Sequence, residues 1–223
     1  MSTPSQKRFQ RRILIHHLPL LILSILSVAL LFYTRPYPDV VSRASFATAY
    51  PALGLLAITL AIGPFNVLTK RRNPTSGDLR RDLGIWAGIL GILHSATGQN
   101  VHLRGRPWLY YVYAAKEHRA FPIRHDLFGA ANYTGALSGL LLIVLLATSN
   151  DYSIRKLGTP GWKRIQRWNY LVFALAAAHT IAYQTSEHQA FPFVVVATAC
   201  LAITIALQTA GWMSRRAARS VAL

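Results

Sequence analysis

Residues 84–98 read GIWAGILGILHSATG and residues 170–183 read YLVFALAAAHTIAY, two apolar stretches with one histidine inside each. Neither alternates apolar and polar residues as a half-buried strand would, and each is long enough for several helical turns. Around them lie blocks that are more apolar still, at 13–33, 46–68, 127–148 and 193–213. Blocks of about 20 residues match the length of helix that crosses a ~30 Å hydrocarbon core. With 83–101 and 168–183 added, the sequence predicts an all-α polytopic membrane bundle of six transmembrane helices, a single membrane domain over 1–223.

Composition supports that class. Of the 223 residues 52% are hydrophobic and 14% charged, where an ordinary soluble domain carries about 25% charged residues. A soluble enzyme and a disordered chain are both disfavoured. Mean hydropathy is only +0.30 because arginine-rich segments separate the blocks. The formal charge of +17 would suggest nucleic acid in a soluble protein. Here the basic residues flank apolar blocks, so topology accounts for them and no nucleic-acid partner is expected.

Counting Lys and Arg between spans gives 17 on one side and seven on the other. The richer side holds both termini, which the positive-inside rule places in the cytoplasm. The first block resembles a signal peptide's basic start, yet its apolar stretch is too long and no small-residue cleavage site follows. The expected location is a bacterial-type cytoplasmic membrane. Cys200, the single cysteine, excludes an intrachain disulfide and a four-cysteine cluster from one chain. No Gly-rich nucleotide motif is present.

Ionisable side chains inside spans are costly and tend to face the bundle interior. His94 lies 12 residues after Asp82, and His179 lies 12 after Arg167, on spans that run in the same direction. At 1.5 Å per residue, each sits about 18 Å from the inner edge of its helix. Two imidazoles at matched depth suit one haem iron held from both faces. A packing histidine would account for either one singly. Zinc would need further ligands, and Gly98 and Tyr183 stand where a same-face partner would be. A proton path would carry acidic residues deep in the spans. Gly84, Gly88 and Gly91, with Ala174, Ala177 and Ala178, keep both helices narrow, as a flat macrocycle or close helix packing would require.

His16 and His17, near the inner start of the first span, read as interfacial packing, as an additional ligand or as a quinone contact. Outside the membrane, Arg104, Arg106 and Arg124 join Lys116, Arg119, His102, His118, His125 and His188 in a basic outer face. That face suits haem propionates, an anionic acceptor, a partner protein or simple solvation.

The segments LRRDLGIWAGILGILH (79–94), LLIVLLATSND (141–151) and IRKLGTPGWKRIQRWNYLVFALAAAH (154–179) resemble the ferric-reductase-like transmembrane domain. That superfamily includes NADPH oxidases, metalloreductases and the haem-binding membrane subunit of the bacterial periplasmic methionine sulfoxide reductase system. The resemblance covers residues 46–183. It implies six helices carrying b-type haem, with His94 and His179 as iron ligands on the third and fifth spans. The family's second fifth-span histidine, in a W-x-x-L-H-R pattern, is here Gln166, a weak neutral ligand. Positions of a second third-span histidine are Arg80 and Trp108. The resemblance therefore implies one haem b per chain, towards the outer leaflet.

The function that follows is a membrane b-type cytochrome subunit, passing electrons through a bis-histidine haem to an acceptor or partner on the outer side. It would be an oxidoreductase subunit needing a separate donor, a quinol or another redox protein, since no FAD or NAD(P)H domain is expected in this chain. A ferric or metal-chelate reductase component is the alternative within the redox class. A non-redox scaffold or transporter that kept the fold is the alternative outside it, and Gln166 is the residue that favours it.

Overall fold

A computed structural model describes residues 4–35, 37–71, 76–103 and 105–220 of the chain. Among these residues the architecture is helical throughout, with one isolated antiparallel bridge between Val112 and Ile123. Helix α1, Pro4–Arg12, passes through a π-helical turn, Ile13–His17, into α2, Leu18–Thr34. Helix α3, Val40–Leu68, starts where Asp39 Oδ1 accepts the Ser42 N–H at 2.9 Å and runs through Pro51 and Pro64. Helix α4 is Ser76–Gly98. Short 3-10 turns at Pro107–Tyr110 and Ala115–Glu117 shape the loop before α5, Leu127–Ala147, which Asp126 caps. Helices α6, Asp151–Gln166, α7, Asn169–Ser186, and α8, Phe191–Ser220, complete the chain.

Four helical stretches, Gln6–Thr34, Val40–Leu68, Leu127–Ala147 and Phe191–Ser220, are long and apolar enough to cross a membrane. Their outward faces carry exposed Leu23, Leu26, Leu30, Leu140, Ile143, Val195 and Ile203. Such surface is stable against hydrocarbon rather than water, and the chain is an integral membrane protein. Helix α4 differs because it opens on Asp78, Arg80, Arg81 and Asp82; α7, 18 residues long, carries His179 inside it and ends on Gln184, Thr185 and Ser186.

Helices α3 and α8 overrun the apolar blocks read from sequence, because the blocks mark membrane depth and the backbone ladder continues past it, whereas α5 coincides with its block to within one residue. Helix α6 was not anticipated at all. Its polar, basic sequence lacks an apolar block, and Gly158 at φ 66° interrupts it just before Pro160. That left-handed conformation is open to glycine at little cost.

The core packs Leu55, Leu56 and Leu60 of α3 against Leu83, Ala87 and Leu90 of α4. Leu141 and Leu145 of α5 and Val172 and Phe173 of α7 close it. Gly84 faces Thr59, and Gly88 faces Leu146. These two glycines therefore let α4 approach its neighbours instead of clearing room for a ligand. Ala174 and Ala178 are exposed, so they too leave the interior.

Where α1 and the π-helical turn run beside α4, a carboxylate is fully buried. Asp82, 0% exposed, accepts from Arg12 and lies 2.7 Å from His16 Nδ1 and 3.3 Å from His17 Nε2. Trp86 Nε1 donates to His17 Nδ1 at 3.3 Å, which leaves the His17 proton on Nε2, towards Asp82. One helical turn earlier Arg8 forks onto Asp78. The sequence reading passed over Asp82 because it stands next to Arg81 at a helix start, where a carboxylate is normally solvated.

Candidate functional site

His94 stands one turn before the end of α4, and His179 stands in the second half of α7. The packing of both helices against α3 and α5 brings the two rings to a centroid separation of 5.9 Å, nearly perpendicular at 72°. The backbone of a neighbouring helix holds each ring. His94 Nδ1 lies 2.9 Å from the Ser45 carbonyl oxygen in α3, and His179 Nδ1 lies 2.8 Å from that of Ala131 in α5. A carbonyl oxygen only accepts, so both Nδ1 atoms carry the proton and both Nε2 atoms carry the lone pair. Neither Nε2 has a hydrogen-bond partner among the described residues.

Both imidazoles line a cavity of about 420 Å³ between α3, α4, α5 and α7, with Ser95, Gly135, Leu142 and Ala176 in the same wall. That volume is in the range of small-molecule and cofactor sites. Two imidazoles binding one metal at about 2.0 Å per bond place their ring centroids about 6 Å apart. The observed separation fits a shared metal. Two nitrogen donors saturate a metal only where another group supplies the remaining ligands, as a porphyrin does in its plane. Among the described residues no cluster of three or more His, Cys, Asp or Glu stands ready to hold a free ion. The donor set and the space fit haem.

Close approach at the site depends on glycines of α5 that the sequence reading missed. A Cβ on Gly135 would sit 2.6 Å from His179 Nδ1, and one on Gly139 would sit 2.9 Å from Ser95 Oγ. Their spacing of four is the small-residue signal that could have found them. Gly91 does serve the cavity wall, where an added Cβ would meet Leu142 at 2.7 Å. Towards the outer end, the Tyr183 ring lies 4.8 Å from His179, and its hydroxyl donates to Asn132 Oδ1 at 3.0 Å. His102 stacks on Tyr183 and places Nε2 3.5 Å from Glu187.

The other residues singled out from sequence lie elsewhere. His16 and His17 turn to Asp82. Gln166 donates to Thr148 Oγ1 at 3.2 Å and to the Leu145 carbonyl at 3.4 Å, closing the end of α5. Arg124 is engaged by Asp126 at 2.6 Å and by the Leu109 carbonyl at 2.9 Å. Arg106 is exposed in the outer loop, and Arg104 lies outside the described residues. No Lys or Arg appears in the described cavity lining. Two guanidiniums hold lining residues from behind: Arg35 stacks 4.5 Å over Phe46 and hydrogen-bonds Gln189, and Arg43 donates to the Tyr37 carbonyl at 2.7 Å.

Fold and site together define an all-helical integral membrane protein with paired interior imidazoles facing one cavity. Among characterised proteins the chain is similar to the protein-methionine-sulfoxide reductase heme-binding subunit MsrQ of Yersinia pseudotuberculosis serotype O:1b (strain IP 31758). Identity is 29% over 133 residues, 59% of this chain and 58% of that protein. It is equally similar to the subunit of the same name from Yersinia pestis (strain Pestoides F), with 57% of that protein covered. The matched region thus spans less than two thirds of these relatives. No protein-family model matches the chain.

Proposed function

We propose that this chain is a haem-binding membrane subunit that carries electrons to an acceptor or partner on the outer side of a bacterial cytoplasmic membrane. The observation that carries the reading is the His94–His179 pair, each ring fixed through Nδ1 to a helix carbonyl with Nε2 left for a metal. The named function of the similar Yersinia subunits supports the same cofactor. In this reading His94 and His179 would hold one haem b between their Nε2 atoms. The Ser45 and Ala131 carbonyls hold the ring orientations, and Gly135 and Ala176 leave room beside the ligands. Apolar Phe46, Leu53, Leu56 and Leu142 keep water from the cavity wall. When bound, the haem supplies one-electron chemistry at iron.

Electrons enter from a quinol or from a separate redox protein, and the outer partner is a periplasmic reductase. The residues 46–183 form the working core of a single membrane domain. Helices α4 and α7 complete six spans with both termini cytoplasmic.

Pyridine haemochrome analysis of the purified protein tests the cofactor. One haem b per polypeptide, with a low-spin visible spectrum, is expected; colourless protein would favour the non-redox scaffold. The topology is tested by thiol labelling of single cysteines at Lys163 and Glu117 in a Cys200→Ser background. Glu117→Cys should react from outside and Lys163→Cys should not; equal reactivity would sink the six-span arrangement.

A further inference from the structure

The two carbonyls that hold the imidazoles share a second feature. Thr48 Oγ1, three residues after Ser45, lies 3.1 Å from the Ser45 carbonyl oxygen. Thr134 Oγ1, three residues after Ala131, lies 2.9 Å from the Ala131 carbonyl oxygen. Each hydroxyl also reaches the preceding carbonyl, of Ala44 at 2.8 Å and of Ala130 at 2.9 Å. Threonines in apolar helices commonly bond back to their own helix in this way. What sets this pair apart is that the shared acceptor is, on both sides of the cavity, the oxygen that receives a histidine Nδ1–H.

We propose that Thr48 and Thr134 are positioning residues that set the reduction potential of the iron by sharing the acceptor oxygens of His94 and His179. The inference rests on the haem reading above. A carbonyl oxygen that already accepts a hydroxyl proton draws less strongly on the imidazole N–H. The ring then keeps less imidazolate character and donates less charge through Nε2. Hydrogen bonding to the outer nitrogen of a ligating imidazole tunes its basicity and with it the metal. A less basic ligand pair favours the reduced iron, so the hydroxyls hold the potential up. Their matching placement applies the effect to both histidines.

The test compares Thr48→Val and Thr134→Val, which remove the hydroxyl at nearly constant shape, with Thr48→Ser and Thr134→Ser, which keep it. Thr209→Val is the control, since Thr209 bonds back to Ile205 in α8 and touches neither histidine. Optical redox titration of the purified protein gives the potential, with haem content and spin state recorded on the same samples. The double valine variant should keep one low-spin haem and favour the oxidised form about tenfold more than wild type, a fall of about 59 mV for a one-electron couple. The serine variants should return to the wild-type potential. An unchanged potential at full low-spin haem content would overturn the proposal while leaving the haem reading intact. An equal fall in Thr209→Val, or haem loss from the valine variants, would also overturn it by assigning the threonines to folding. Absence of haem from the wild type would instead defeat the reading beneath it.

Discussion

Alanine in place of His94 or His179 is expected to reduce haem content from about one per chain to about a tenth or less, an effect at least as large as the roughly 10–100-fold cost of losing a hydrogen-bond partner of a metal ligand. Each substitution removes one of the two imidazole donors that would hold the haem and leaves a single Nε2 facing the cavity. Whatever haem stays should turn high-spin. The measurement is haem per polypeptide on detergent-purified protein, with circular dichroism confirming that the helices persist. Unchanged low-spin ligation in both variants would show that other residues hold the iron. Gln166→Ala is the contrasting case: its amide serves the end of α5, so haem content and spectrum should stay as they are.

The second large effect comes from a single methyl group. Gly135→Ala would place a Cβ 2.6 Å from His179 Nδ1, well inside contact distance. The ring must swing, and its hydrogen bond to the Ala131 carbonyl goes with it. Overpacking of this kind costs about 1–3 kcal/mol, and a displaced ligand adds to the loss, so haem retention should fall by about 10–100-fold. Gly54→Ala provides the comparison, because nothing lies within 4 Å of its added Cβ. It should leave haem content unchanged. Wild-type haem retention in Gly135→Ala would mean that α5 yields at this point and that the glycine is not what positions the ring.

How much of this was legible beforehand depended on whether one helix carried the information. The blocks 46–68, 127–148 and 193–213 lie almost wholly inside α3, α5 and α8, since the membrane imposes length and hydropathy on a span whatever it packs against. That the two histidines could stand side by side was readable by counting residues along α4 and α7, because rise per residue is constant, and their ring centroids do lie 5.9 Å apart. Basic flanks and a polar opening were equally readable on α4. Helix α6 escaped, because its surface position leaves no apolar block in its sequence.

The sequence by itself determined the helical, membrane-embedded class and placed one histidine inside each of two apolar stretches. Tertiary structure alone decided which side of each helix faced inward. Gly84 and Gly88 turned to Thr59 and Leu146, and Ala176 reached the cavity while Ala174 and Ala178 faced out. The π-helical turn delivered His16 and His17 to Asp82. Arg124 was drawn to Asp126, away from the cavity lining. The partners of His94 and His179 are backbone oxygens of Ser45 and Ala131, which any residue could supply and which no side-chain pattern marks. A helix's rotation about its axis is set by how its small residues meet the bulky ones of its neighbours, and that is a property of helix pairs rather than of any one stretch of chain.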